Sequence, residues 1–147
     1  MKLNLGACDR KINGYLSVDM CAPADIVTNL SNFWPWEDSS VDEILAFDII
    51  EHLPDKIFTM NEAWRVMKNR ALFKIEVPTT DGSGAFQDPT HVSFWNERSF
   101  LYYEKGNPYR ERFAVNYGIH AAFRIKEKKT KLTCDGPKLT IILEAIK

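Results

Sequence analysis

Apolar residues fall along this chain in two rhythms. Leu3 and Leu5, then Leu16 and Val18, flank single polar residues over short spans that read as strands. Residues 24–30 read as a third strand, bounded by Pro23 and by Ser31-Asn32. Residues 41–49 are more uniformly apolar and partly β-branched, the composition of a central strand covered on both faces. After Pro54-Asp55-Lys56 the period changes. Ile57, Met60, Ala63, Trp64 and Met67 fall three and four apart, one apolar stripe of a helix running to Lys68. Asn69-Arg70 is the predicted stop, because asparagine tolerates a left-handed cap. Residues 71–78 form a strand closed by Pro78, and a polar loop containing glycine runs over residues 79–90. Residues 96–103 read as a short helix capped by Asn96. Residues 122–134 and 139–146, joined at Asp135-Gly136-Pro137, read as a long hairpin.

Strands alternating with helices, then a terminal hairpin, predict an α/β three-layer sandwich: a mostly parallel sheet with an antiparallel C-terminal edge hairpin. One link fits poorly. Nine residues separate Gly6 from Leu16, whereas a parallel crossover takes about a dozen or more. Asp9, Asn13 and Gly14 are turn formers, so the link is a compact loop or the second strand is not parallel to the first.

The length, 147 residues, predicts a single domain over 1–147. The net charge of −1 gives no electrostatic support for a nucleic-acid or anionic-membrane partner. Cys8, Cys21 and Cys134 lack the paired spacing of a zinc site, so no metal is expected, and free thiols suit a reducing compartment. No charged-then-apolar leader opens the sequence, and no apolar run approaches the ~18 residues of a membrane span. The expectation is a soluble cytoplasmic protein.

Candidate chemistry gathers at two strand tips. In an open parallel sheet, ligands bind outside the carboxyl ends of the strands. Gly6 ends the first strand, where a glycine lets the backbone approach a ligand. Asp19 ends the second, where a carboxylate can accept both hydroxyls of a ribose. The pair proposes a ligand containing a nucleoside.

Leu3-Asn4-Leu5-Gly6-Ala7-Cys8 with Gly14-Tyr15-Leu16-Ser17-Val18-Asp19 resembles the first two motifs of class I methyltransferases that use S-adenosylmethionine. Trp34-Pro35-Trp36 with Ser40-Val41-Asp42-Glu43-Ile44, Glu51-His52-Leu53-Pro54, Glu62-Ala63-Trp64-Arg65-Val66 and Asp88-Pro89-Thr90-His91 are similar to later motifs of a compact branch of that family. The resemblance spans roughly residues 2–105 and implies a Rossmann-like sheet and S-adenosyl-L-methionine as cofactor. It also implies an acceptor that is a small molecule or glycan. By the same resemblance Ala7 and Cys8 lie near the methionine portion, and Met20, Asn29 and Leu30 around the adenine. Phe47 and Asp48, ending the fourth strand, face the crevice. Asp88 and His91 sit on its rim as the candidate catalytic residues, either of which can take a proton from an acceptor. Glu51-His52 offers an acid–base pair, although adjacent side chains point apart. Phe94, Trp95, Phe100, Tyr102 and Tyr103 are either packing or a lid.

Two departures favour a second reading, a degenerate non-catalytic interaction module. Gly6-Ala7-Cys8 stands where the family has Gly-Cys-Gly, and Asn29 where it has aspartate. A nicotinamide-dependent enzyme is a third reading, and it lacks the three-glycine fingerprint.

Overall fold

The alternating positions become one buried face of a seven-stranded sheet. The computed structural model describes residues 1–147. Its strands are β1 (Lys2–Leu5), β2 (Leu16–Asp19), β3 (Ile26–Val27), β4 (Val41–Phe47), β5 (Met67–Pro78), β6 (Phe123–Thr133) and β7 (Gly136–Ala145), ordered β3-β2-β1-β4-β5-β7-β6. β7 runs antiparallel to both neighbours, and every other pairing is parallel. The registers put Leu5, Val18, Ala46, Ile75 and Ile141 on one face, all at most 1% exposed. Helices α1 (Lys56–Val66), α2 (Gly84–Gln87) and α3 (Pro108–Tyr117) follow in chain order, with a 3₁₀ helix at Glu97–Tyr103 between the last two. Met60 and Ala63 of α1, Phe100 and Tyr103 of the 3₁₀ helix, and Ala114 of α3 join that face in one hydrophobic core. Each large apolar side chain so buried contributes about 1.5–3 kcal/mol.

The opposite face alternates toward polar residues. Leu72, Lys74 and Glu76 of β5 stand across from Glu144, Ile142 and Thr140 of β7. Over β1 it is covered by the loop of residues 6–15, where Asn4 Nδ2 donates to the Arg10 carbonyl at 2.9 Å. The Rossmann-like, mostly parallel sheet with its antiparallel C-terminal hairpin is therefore present, and its layers are unequal: helices on one side, this loop on the other. The short link is that compact loop, and β2 is parallel to β1. No helix is long and apolar enough to cross a membrane.

Four boundaries differ from the sequence pattern. The helix stops at Val66, because Met67 already pairs with Val41 as the first residue of β5. Asn69-Arg70 is then a bulge inside β5, with Arg70 at φ +66°, rather than a helix cap. The third strand shrinks to two residues, since Thr28 turns back to donate to the Asp19 carbonyl at 2.8 Å. α3 arises where the hydrophobic pattern gave nothing, because only Ala114 of its ten residues is buried.

Candidate active site

Five predicted residues converge at the carboxyl ends of β1 and β2 and on the segment after β3. Gly6 has φ +63°, and a Cβ there would lie 2.6 Å from Ile49 Cβ, so glycine is required twice over. Asp19 Oδ2 accepts the Cys8 N–H at 2.8 Å and Oδ1 the Met20 N–H at 2.7 Å. A carboxylate offers about four lone-pair positions, so both oxygens keep capacity for a ligand's hydroxyls. Gly6, Asp19, Met20, Asn29 and Leu30, with Thr28, Ser31, Ile49, His52 and Leu53, line a cavity of about 220 Å³. Met20 is 72% exposed and forms an uncovered wall. Asn29 Oδ1 accepts the Ser31 N–H at 2.9 Å, which leaves its amide NH₂ free of protein partners. Ala7 and Cys8 do not line the cavity. Their N–H groups are engaged by the Val18 carbonyl at 3.2 Å and by Asp19, so they shape the tip rather than present donors.

A second cavity of about 250 Å³ adjoins the first, and His52 borders both. Its walls include Asp48, Glu51, Asp88, His91 and Lys138, with no large apolar side chain among them. Together the two chambers fall in the usual range for small-molecule sites, roughly 300–1,000 Å³. Asp48, at φ +54°, accepts from Lys138 Nζ at 2.9 Å. Phe47 points away, onto the polar sheet face beneath Lys74. The start of β7 forms one wall because Gly84 passes tightly against the hairpin turn. A Cβ on Gly84 would lie 2.3 Å from the Asp135 carbonyl oxygen.

The groups deepest in this chamber are preorganised. Glu51 lies on a 3₁₀ turn, Ile50–His52, and is 2% exposed. Its Oε2 has no hydrogen-bond partner, and burial, with the Asp48 charge adding to it, pushes the carboxyl up to about 7. The His91 ring meets the Ala85 carbonyl through Nδ1 at 3.0 Å. A carbonyl only accepts, so Nδ1 carries the proton and Nε2 the lone pair. That Nε2 lies 4.0 Å from Glu51 Oε1 and 3.9 Å from Asp88 Oδ2. Hydrogen bonds from the Thr90 hydroxyl and N–H hold Asp88 below the usual carboxylate range. His52 Nδ1 faces the Thr90 carbonyl at 3.2 Å, and the two imidazoles meet edge to face with centroids 4.8 Å apart. The loop carrying His91 is fastened to the turn, since the Glu51 carbonyl accepts the Val92 and Ser93 N–H groups at 2.9 and 3.0 Å.

The aromatic cluster divides. Trp95 and Phe100 are stacked in the core with centroids 5.1 Å apart, and Tyr103 is buried. Phe94 instead pairs with Phe86 at 5.0 Å on the surface, Phe86 preceding the chamber residue Gln87.

No protein-family model matches the chain, and no curated protein matches it. Solved structures do match. A SAM-dependent methyltransferase from Methanosarcina mazei aligns over 99% of this chain and 92% of its own, at 15% identity and a TM-score of 0.67. The N-methyltransferase NodS from Bradyrhizobium japonicum aligns over 99% and 85%, at 11% identity and 0.65. The [4+2]-cyclase SpnF aligns over 99% and 74%, at 9% identity and 0.67. The chain therefore has the class I fold of SAM-dependent methyltransferases. A cyclase on the same fold shows that the chemistry has to be argued from the site.

Proposed function

We propose that this chain is a methyltransferase that uses S-adenosyl-L-methionine and modifies a polar small molecule or a glycan. The observation that carries the reading is the pair of chambers meeting at His52, at the carboxyl edge of the parallel strands. The first fits an adenosyl group: Gly6 lets the strand tip turn at φ +63° against Ile49 and leaves its backbone bare on the cavity wall, and Asp19 keeps lone pairs for ribose hydroxyls. Met20, Asn29 and Leu30 enclose the base. The cofactor supplies a methyl already activated on a sulfonium, so the protein's task is alignment and exclusion of water.

The second chamber receives the acceptor. Its polar lining suits a ligand rich in hydroxyls, and the exposed Phe86–Phe94 pair beside Gln87 offers an apolar surface for a sugar ring. His91 Nε2 takes the proton that a hydroxyl acceptor gives up; the Ala85 carbonyl orients the ring through Nδ1, and Asp88, 3.9 Å from Nε2, stabilises the imidazolium that forms. The net charge of −1 favours neither a nucleic acid nor a membrane as partner.

Calorimetry with S-adenosylhomocysteine tests the first chamber. Saturable binding is expected, weakened at least tenfold (about 1.4 kcal/mol) by Asp19→Ala. An affinity indifferent to that change rejects the site. The engaged N–H groups of Ala7 and Cys8 favour the second reading, a non-catalytic interaction module, which predicts no heat even at millimolar ligand.

A further inference from the structure

Glu51, His52 and His91 form a grouping that proton transfer alone leaves unexplained. One ligating atom from each lies within 4.8 Å of the others. We infer that these three residues bind a divalent first-row transition cation in the second chamber.

Three independent observations carry the inference. The first is the orphaned oxygen. Glu51 is buried, and Oε2 has no partner. An unsatisfied buried acceptor is costly, so its place in a packed turn calls for a ligand. The second is the anchoring of both rings. His91 and His52 are each fixed through Nδ1 to a main-chain carbonyl, of Ala85 and Thr90, and neither Nε2 has a hydrogen-bond partner. Ligating histidines are held in this way, the second nitrogen fastened to a carbonyl or carboxylate so that the first faces the metal. The third is charge. Asp48, Glu51, Asp88 and Asp135 line the chamber against one lysine, and Lys138 is already held by Asp48 and Glu76.

Distances and donor types narrow the cation. Nitrogen and oxygen ligands sit ~2.0–2.2 Å from zinc, which places pairs of them about 3–4 Å apart. Glu51 Oε1 and His91 Nε2, 4.0 Å apart, stand at the outer edge of that range. The widest separation in the group, up to 4.8 Å, must close by about 1 Å or more on binding, a side-chain adjustment in a loop already fastened to the turn by Val92 and Ser93. Two imidazoles and a carboxylate suit zinc, iron(II) or cobalt(II) rather than calcium or magnesium, which take mainly oxygen. Three protein ligands leave a position open toward the chamber. In the methyltransferase reading that position takes the acceptor oxygen and polarises it, the hydroxyl proton passes to Asp88 on the rim, and His91 is then a ligand rather than the base. This catalytic consequence rests on that reading, and cation binding does not.

The test uses the full chain stripped with chelator, titrated with Zn²⁺ in a calorimeter and with Co²⁺ by visible absorption. Expected are one equivalent of Zn²⁺ and d–d bands of low coordination number. Glu51→Gln and His91→Ala should each weaken Zn²⁺ at least tenfold, while His120→Ala, outside the chamber, leaves it unchanged. Far-ultraviolet dichroism confirms folding, and if His91→Ala does not fold, Glu51→Gln decides alone. Absence of saturable Zn²⁺ binding, or equal affinity in the folded Glu51→Gln variant, overturns the inference. Asp19→Ala separates the two ideas, since it should weaken S-adenosylhomocysteine at least tenfold and spare Zn²⁺. A chain that binds S-adenosylhomocysteine but no Zn²⁺ keeps the methyltransferase reading and loses this one.

Discussion

Without a bound cation, Glu51 is tolerated where it is because a carboxyl can keep its proton. In the unfolded chain it titrates near its ordinary 4.5, and in the folded chain near 7. Below both values each state carries the proton. Between them the unfolded chain releases it while the folded chain holds it, so stability falls as pH rises, and above 7 the loss is complete. A displacement of this size is worth about 3 kcal/mol. Glu51→Gln cannot ionise, so in chelator its melting temperature relative to the parent should rise between pH 5 and pH 8, by on the order of 5 °C or more. A difference that stays constant over that range contradicts the burial argument. Among the site residues, Gly6 and Asp19 were legible in the sequence because strand tips in an open sheet have one destination. The Glu51–His52–His91 grouping was not. Adjacent side chains are expected to diverge, and it is the tight 3₁₀ turn, with His91 brought in from a loop thirty-nine residues beyond His52, that makes them converge. Lys138 left no local signal either, since it enters from the start of β7.

Elements announced themselves in proportion to the apolar surface they bury. β5 and β7 alternate because one face is core and the other polar, and α1 shows a stripe because Met60 and Ala63 are fully enclosed. α3 buries a single alanine, so periodicity could not find it. Its caps were nonetheless written in the chain: Asn107 before Pro108 at the start, and Gly118 at φ +70° at the end. Its end is tied to α1 instead: Asn61 donates to the carbonyl of the cap residue Gly118 at 2.8 Å and accepts the His120 and Ala121 N–H groups of the following segment at 2.9 and 3.0 Å. The Glu62 and Arg65 of the family-like helix segment prove to be a clamp on the approach to β4. Glu62 accepts the Trp34 N–H at 2.8 Å, and Arg65 donates to the Trp34 and Trp36 carbonyls at 3.0 and 2.9 Å. Glu62 is 6% exposed, so Arg65→Met leaves a buried carboxylate unpaired and should cost about 3 kcal/mol in urea unfolding. Asp38→Ala, which removes an exposed partner of the same arginine, should cost under about 1 kcal/mol. Equal losses from the two would mean that the clamp is not a buried ion pair.

Across the molecule, one edge of the sheet concentrates everything with chemical potential. The tips of β1 and β2 build the first chamber, the turn after β4 supplies Glu51 and His52, and the loop after β5 supplies Asp88 and His91. The hairpin then folds Lys138 across to close the far wall. Helices on one face keep the core dry, while loop 6–15 replaces a helix above β1 without disturbing the tip that carries Gly6. Crystals soaked with S-adenosylhomocysteine put this arrangement to proof. Ribose hydroxyls should lie within hydrogen-bond distance of Asp19, with the thioether sulfur at the boundary marked by His52 and aimed into the acidic chamber. A nucleoside bound anywhere else, or an Asp19 carboxylate that makes no contact with it, would dissolve the link between these strand tips and methyl transfer.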